Sequence, residues 1–260
     1  MSRVYAQIKE FLLDEGIEYF SAIKSDKLSV INQRIMPENA KSGVIFFIPY
    51  YTGRHEDRNV SLYSVSLDYH LYIKELSAKF VGDGEHYFKF FADTSPINER
   101  CAAIDAGLGF IGQNGLLMSK KYGSYVFIGT LLTDAQFDED EYAAGGEAKS
   151  CMNCGLCKKS CEYLKGERDY CLSELTQRKN VTDEELEVIR SQKLVWGCDL
   201  CQEICPHNKD VEITPIEFFH RNLLERIDAD MIENMSKDEF SKRAYAWRGK
   251  KTLLRNLGRE

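Results

Sequence analysis

The spacing of apolar positions changes several times along the first 150 residues, and each change predicts an element. Residues 3–14 place Val4, Ile8, Phe11 and Leu12 at helical intervals, and the run ends at Gly16. Residues 43–49 are continuously apolar over the length of a strand, which predicts a buried strand. Residues 64–81 return to helical spacing, with Leu67, Leu71, Ile73 and Leu76 facing inward. Residues 87–91 are a strand that delivers Asp93 at its end, and Pro96 opens a helix carrying Glu99 and Arg100. Residues 107–112 (GLGFIG) form a glycine-rich loop. Residues 116–118 and 125–132 follow as two strands joined by 120–124, and the acidic stretch 134–147, with Gly145 and Gly146, is a linker. The expected fold class is α+β / α/β, a sheet domain followed by a separate C-terminal module.

Composition adds one outlier. Hydrophobic residues make up 43% and charged residues 29%, an ordinary globular balance, and 34 Lys+Arg against 41 Asp+Glu leave a net charge of −7. That acidic balance argues against general nucleic-acid binding. No apolar run approaches the roughly 20 residues of a membrane span. The N-terminal residues mix acids into their apolar pattern and offer no small-residue cleavage site, so no signal peptide is expected and the expected location is cytoplasmic. The outlier is nine cysteines, too sparse for a disulfide scaffold in 260 residues.

Eight of the nine lie between residues 151 and 205. Cys151, Cys154, Cys157 and Cys161 form a C-x2-C-x2-C-x3-C run; Cys198, Cys201 and Cys205 form a second, with Cys171 between them. Three thiolates at x2 spacing on a tight loop can hold three irons of a cubane, and the fourth, three residues on, points along a helix toward the other cluster. Cys151, Cys154 and Cys157 then take Cys205, followed by Pro206, as their remote partner. Cys161, Cys171, Cys198 and Cys201 make the second set, giving two [4Fe–4S] clusters with no ligand left over. The alternative is two structural zinc sites, which usually show two C-x2-C pairs rather than a three-step run. Cys101 stands apart as a small helix-face residue.

Two clusters form a wire for single electrons, so the first 150 residues should hold what is reduced. GLGFIG fits G-x-G-x-x-G, but a dinucleotide site needs a strand before it and a helix after it; here the order is reversed. Glycines would still let the backbone approach a bulky cofactor. Asp93 is the best candidate for chemistry, because a carboxylate beside apolar walls can donate a proton near neutral pH. It reads equally well as the N-cap of the helix opening near Pro96.

Residues 91–134 (FADTSPINERCAAIDAGLGFIGQNGLLMSKKYGSYVFIGTLLTD), the cysteine pattern, 196–209 (WGCDLCQEICPHNK), 67–70 (LDYH) and 253–256 (LLRN) together resemble the epoxyqueuosine reductase family. The resemblance runs from about residue 40 to the end. It implies an oxidoreductase with base-off cobalamin and two [4Fe–4S] clusters that reduces the epoxide of epoxyqueuosine in the tRNA anticodon loop to queuosine. By position, Asp93 matches the proton donor and Arg100 a residue near the substrate, both at the cofactor. Leu117 and Ile128 match strand residues whose backbone lies against the corrinoid. Ser173, Cys198 and Asp199 sit where the cluster module meets it. His70, His86 and His207 are available to cobalt, but the resemblance implies binding without a histidine ligand. The implied organisation is a cobalamin-binding domain at 1–147, a double-cluster module at 148–212 and a helical segment at 213–260, with ferredoxin or flavodoxin as electron donor.

Some features depart from the family pattern. The region before Asp93 is about 40 residues shorter than expected, the C-terminal helical-repeat domain is missing from what reads as a short form, and Glu162 replaces the usual proline. Residues 241–260 hold seven Lys/Arg and one acid. They read as phosphate contacts or as a solvated helix face. Two other functions fit the same residues: a corrinoid and iron–sulfur reductase acting on a small molecule or a partner's corrinoid, and an electron-transfer module without a substrate of its own.

Overall fold

The computed structural model describes residues 2–143 and 150–259. Contacts divide the chain into two units: 1–50, 70–152 and 214–216 in the first, and 51–69, 153–213 and 217–260 in the second.

The first unit is built on an antiparallel sheet of order β1-β2-β6-β3, with β1 Phe20–Lys24, β2 Ser42–Pro49, β3 Phe88–Ala92 and β6 Val126–Thr133. β2 is central, and all eight of its residues are buried. Its continuous apolar run follows from cover on both faces. On one face Phe46 meets Phe90 of β3, which in turn meets Phe11 of α1 (Arg3–Asp14), in edge-on pairs at 6.3 Å. On the other, Ile45 and Phe47 pack with Ala102 and Ala103 of α3 (Glu99–Asp105). α1 has the predicted bounds, and the Ser2 hydroxyl accepts the Tyr5 N–H at its start. β1, a five-residue edge strand, was not anticipated by the pattern.

Two expectations need correction. The helix expected at 64–81 begins only at Tyr69 (α2, Tyr69–Lys79), and Leu67 and Leu71 are only half-buried. Residues 62–64 make a 3-10 turn, Leu67 bridges Arg243, and the Asp68 N–H donates to the Lys242 carbonyl (2.9 Å). Those backbone groups are therefore committed elsewhere. The strands expected at 116–118 and 125–132 are both present. β5 (Leu117–Met118) pairs with β4 (Phe110–Ile111), while β6 joins the main sheet. Finally, 134–142 is not a linker. Ala135 and Phe137 are buried, and the Ser42 hydroxyl donates to the Ala135 carbonyl (2.7 Å). Residues 144–147 of that stretch lie outside the described residues.

The second unit consists of short helices: α4 Leu156–Ser160, α5 Glu162–Lys165, α6 Leu172–Gln177, α7 Asp183–Ser191, α8 Leu200–Glu203, α9 Ala229–Asn234, α10 Lys237–Ser241 and α11 Lys250–Asn256. Its core gathers Val60, Val65, Ile227, Tyr245 and Leu253 around a fully buried Trp196. Residues 51–69 belong here because Val60 bridges Trp196 and the Ser61 N–H donates to the Trp196 carbonyl (2.8 Å). Five of the seven C-terminal cations are tied to their own unit. Lys242 pairs with Asp238, Arg243 donates to the Asn222 carbonyl, Lys250 to those of Glu233 and Met235, Arg255 to those of Arg178 and Lys179, and Arg259 pairs with Asp230 and Glu233.

Candidate functional site

β3 ends at Ala92, and the chain then reverses at Asp93 with φ +60°. The Thr94 N–H donates to the Ala92 carbonyl at 2.6 Å, so Asp93 is the centre of a γ-turn with positive φ, the rarer and more strained of the two γ forms. A non-glycine residue held there points to function rather than packing. The turn leaves Asp93 exposed. Asp93 is not a helix cap: α3 is capped by Asn98, whose side chain accepts the Cys101 N–H at 3.2 Å. Cys101 is exposed on that helix.

Glu99, in the first turn of α3, reaches back to the turn and accepts the Asp93 N–H on Oε2 at 3.0 Å. Its Oε1 is buried without a hydrogen-bond partner, as is the Thr130 hydroxyl of β6. Burial pushes the Glu99 carboxyl up to about 7, the Asp93 charge adds to this, and the Ser95 and Thr130 hydroxyls oppose it. The sequence placed Glu99 on the helix but gave no signal of its partner, which is reached only through the fold. Arg100 is exposed, and its guanidinium donates to the Gly115 carbonyl at 3.3 Å.

Leu117 is buried in the core behind this turn, and Phe91, Leu108, Val126 and Ile128 are half-buried against the same core. Together they give the unit an apolar shelf. The GLGFIG glycines have local reasons. A Cβ on Gly109 would lie 2.3 Å from the Met118 carbonyl oxygen, so Gly109 lets the β4–β5 ribbon close.

In the second unit, α4 packs on both α5 and α8. Gly155, in left-handed conformation, turns the chain into α4 between Cys154 and Cys157, and Cys205 follows α8 just before Pro206. Cys161, Cys171, Cys198 and Cys201 converge. Burial pushes the Cys198 thiol up to about 11 and Cys201 to about 12, and each is raised further by Cys161 and Cys171. Among the described residues, the group of His, Cys, Asp or Glu ligand atoms within 4.8 Å of one another is Asp83, Glu85 and His86. The thiols of Cys161, Cys171, Cys198 and Cys201 are close enough to feel one another, which suits a shared metal centre.

Asp199, next to Cys198, is 1% exposed, and its carboxylate is fully engaged. It accepts the Ser61 hydroxyl (2.5 Å), the Leu62 N–H (2.8 Å) and the Gln202 amide (3.0 Å), and pairs with Arg58 at 3.1 Å. Arg58 also pairs with Glu203 and donates to the Val60 carbonyl. Sequence reasoning missed Arg58, which lies in a charged stretch that reads as solvated surface. Ser173 lies on α6, where its carbonyl accepts the Thr176 hydroxyl (2.9 Å); that hydroxyl accepts the Gly197 N–H (2.9 Å) before Cys198. A cavity of about 130 Å³ beside Cys198 is lined in part by Arg58, Thr176, Lys193 and Glu203.

No family model matches the chain. It is 34% identical over 187 residues to an epoxyqueuosine reductase of Lactococcus garvieae, covering 67% of this chain and 51% of that protein. One from Cyclobacterium marinum is 30% identical over 233 residues, covering 82% and 72%. The chain therefore spans between about half and three quarters of these relatives. The fold matches the structure of epoxyqueuosine reductase from Streptococcus thermophilus with a TM-score of 0.73 at 23% identity, over 98% of this chain and 80% of that one. It also matches an epoxyqueuosine reductase crystallised with an epoxyqueuosine-modified tRNA-Tyr stem loop, with a TM-score of 0.72 at 22% identity over 98% and 80%. Among the described residues no helix is long and apolar enough to cross a membrane. The extent of the match to the Cyclobacterium marinum protein shows that the chain belongs to the epoxyqueuosine reductase family.

Proposed function

We propose that the chain reduces the epoxide of epoxyqueuosine in the tRNA anticodon loop to the alkene of queuosine. In this reading residues 1–147 bind base-off cobalamin and the substrate, 148–212 form a ferredoxin-like module with two [4Fe–4S] clusters, and 213–260 are a helical segment. The electron donor is a ferredoxin or a flavodoxin. When bound, these groups supply single-electron transfer and reductive carbon–oxygen cleavage at low-valent cobalt.

The chain's own residues hold, orient and protonate. Cys151, Cys154, Cys157 and Cys205 hold one cluster; Cys161, Cys171, Cys198 and Cys201 hold the other. The mutual influence of the thiols of the second set supports this assignment. Leu117 and Ile128 present backbone and apolar surface to the corrinoid ring, and the half-buried shelf of the first unit suits a large flat group. Ser173 and Cys198 would contribute to holding the corrinoid. Asp199 joins them through its backbone, since its carboxylate is already engaged. The exposed Arg100 guanidinium orients the substrate. Converting the epoxide to the alkene consumes two electrons and two protons and releases the oxygen as water. Asp93 gives its carboxyl proton to that departing oxygen.

The observation that carries this reading is the Asp93 turn, which holds an exposed carboxylate in a strained conformation beside the apolar shelf. The test is Asp93→Asn, purified anaerobically. It should keep the iron content and cobalamin spectrum of the parent and convert no epoxyqueuosine. Full conversion would remove Asp93 as the donor.

A further inference from the structure

The Asp93 turn is stretched between two anchors. The first is its own hydrogen bond, Thr94 N–H to the Ala92 carbonyl, which closes the turn but supplies little against the cost of positive φ at a residue with a side chain. The second comes from six residues away: Glu99 Oε2 accepts the Asp93 N–H at 3.0 Å. α3 begins at Glu99 itself, so the carboxylate is carried on a fixed helical turn capped by Asn98. Behind it lie the sheet and two sealed oxygens with no hydrogen-bond partner, Glu99 Oε1 and Thr130 Oγ1. The carboxyl thus sits between the Asp93 amide in front and the Ser95 and Thr130 hydroxyls beside it.

We propose that Glu99 is the positioning residue of the site, a carboxylate latch that holds the Asp93 turn through its backbone N–H. The inference rests on the reading of Asp93 as the proton donor and extends it to the group that presents that donor. An ionised carboxylate makes the stronger, charge-assisted bond, while a protonated one leaves a weaker neutral bond. The groups facing Glu99 are the Asp93 carboxylate from the turn, the Ser95 hydroxyl from the following loop and the Thr130 hydroxyl from β6. No cation is among the groups that move it. With its carboxyl pushed up to about 7, Glu99 changes charge near neutrality. The turn is therefore firmly latched above that pH and looser below it.

The test is hydrogen exchange of the Asp93 amide in the holoenzyme, read by mass spectrometry at pH 6 and pH 8 and corrected for intrinsic exchange. In the parent, protection should fall about tenfold from pH 8 to pH 6, the difference expected between a charge-assisted and a neutral bond. Glu99→Gln keeps an acceptor without a titrating proton, so its protection should be the same at both pH values. Glu99→Ala should lose protection at both. The same variants are then followed in turnover. Glu99→Gln should keep KM and most of kcat while losing the kcat inflection near pH 7, and Glu99→Ala should lose kcat. Unchanged exchange in Glu99→Ala, or a pH step that persists in Glu99→Gln, overturns the latch. The two readings fail separately. A fully active Asp93→Asn with Glu99-dependent exchange sinks the donor and leaves the latch; an inactive Asp93→Asn with Glu99-independent exchange does the reverse.

Discussion

Replacing Arg58 by Met should destabilise the second unit by about 3–5 kcal/mol at pH 7.5, the cost of leaving a buried charge without its partner. The two side chains are 5% and 1% exposed at a separation of 3.1 Å. At an effective dielectric of about 20 their attraction is roughly 5 kcal/mol, and methionine keeps the apolar stem while removing it. The Ser61, Leu62 and Gln202 bonds to Asp199 remain and keep the loss from growing further. Burial raises the Asp199 carboxyl and Arg58 pulls it back down, so removing Arg58 raises it more. A group whose folded pKa lies above its unfolded value loses stability as pH rises between the two. The penalty should therefore shrink as pH falls and Asp199 takes up a proton. Arg58→Met with Asp199→Asn should recover part of the loss at pH 7.5. The assay is anaerobic guanidinium unfolding followed by tryptophan fluorescence. Both tryptophans lie in the second unit and Trp196 is fully buried, so the signal reports that unit. A penalty below about 1 kcal/mol at pH 7.5 would refute the reasoning, since that is no more than a surface pair contributes. So would a penalty that does not change with pH.

Other perturbations test other parts of the account. Glu99 binds its proton more tightly folded (about 7) than unfolded (about 4.5), so its contribution to stability is intact below pH 4.5 and is lost as pH rises to 7. Glu99→Gln should therefore be more stable than the parent by up to about 3 kcal/mol at pH 8 and nearly equal to it at pH 4.5, as read by urea unfolding. Gly129 lies opposite Phe46 in the sheet register, and a Cβ there would come within 2.1 Å of the ring. Gly129→Ala should cost about 1–3 kcal/mol in thermal unfolding, and a loss under 0.5 kcal/mol would mean the ring moves freely aside. Cys198→Ser should lower iron from about eight to about four atoms per chain, with one cluster signal kept in the electron paramagnetic resonance of the reduced protein. An unchanged iron count would take Cys198 out of the ligand set.

Legibility in the sequence followed the range of the interactions. β2 was readable because cover on both faces leaves no polar position to interrupt the run, and α1 because its apolar stripe and Gly16 mark both its face and its end. The helix at 64–81 was overextended because Leu67 and Asp68 give their backbone to residues 242 and 243, a pairing invisible in local spacing. The short strand β4, inside the glycine-rich loop, is not legible for a related reason. Two-residue strands carry almost no periodic signal. At the candidate site, Asp93 stood out as an acid at a strand end, and the cysteine runs stood out by spacing. Glu99 and Arg58 did not. What makes each notable is a partner, the Asp93 amide in one case and Asp199, 141 residues on, in the other. Neither charge differs in sequence from an ordinary surface residue.

The central claim is epoxide reduction on tRNA, and one reaction tests it. The anaerobically purified protein, loaded with cobalamin and with its clusters verified by absorbance, is incubated with a reductant and an epoxyqueuosine-containing tRNA stem loop. The nucleosides are then separated by mass. The account predicts queuosine, lighter than the starting nucleoside by one oxygen, and none in a parallel reaction with Asp93→Asn. Unchanged epoxyqueuosine with fully loaded protein would contradict it.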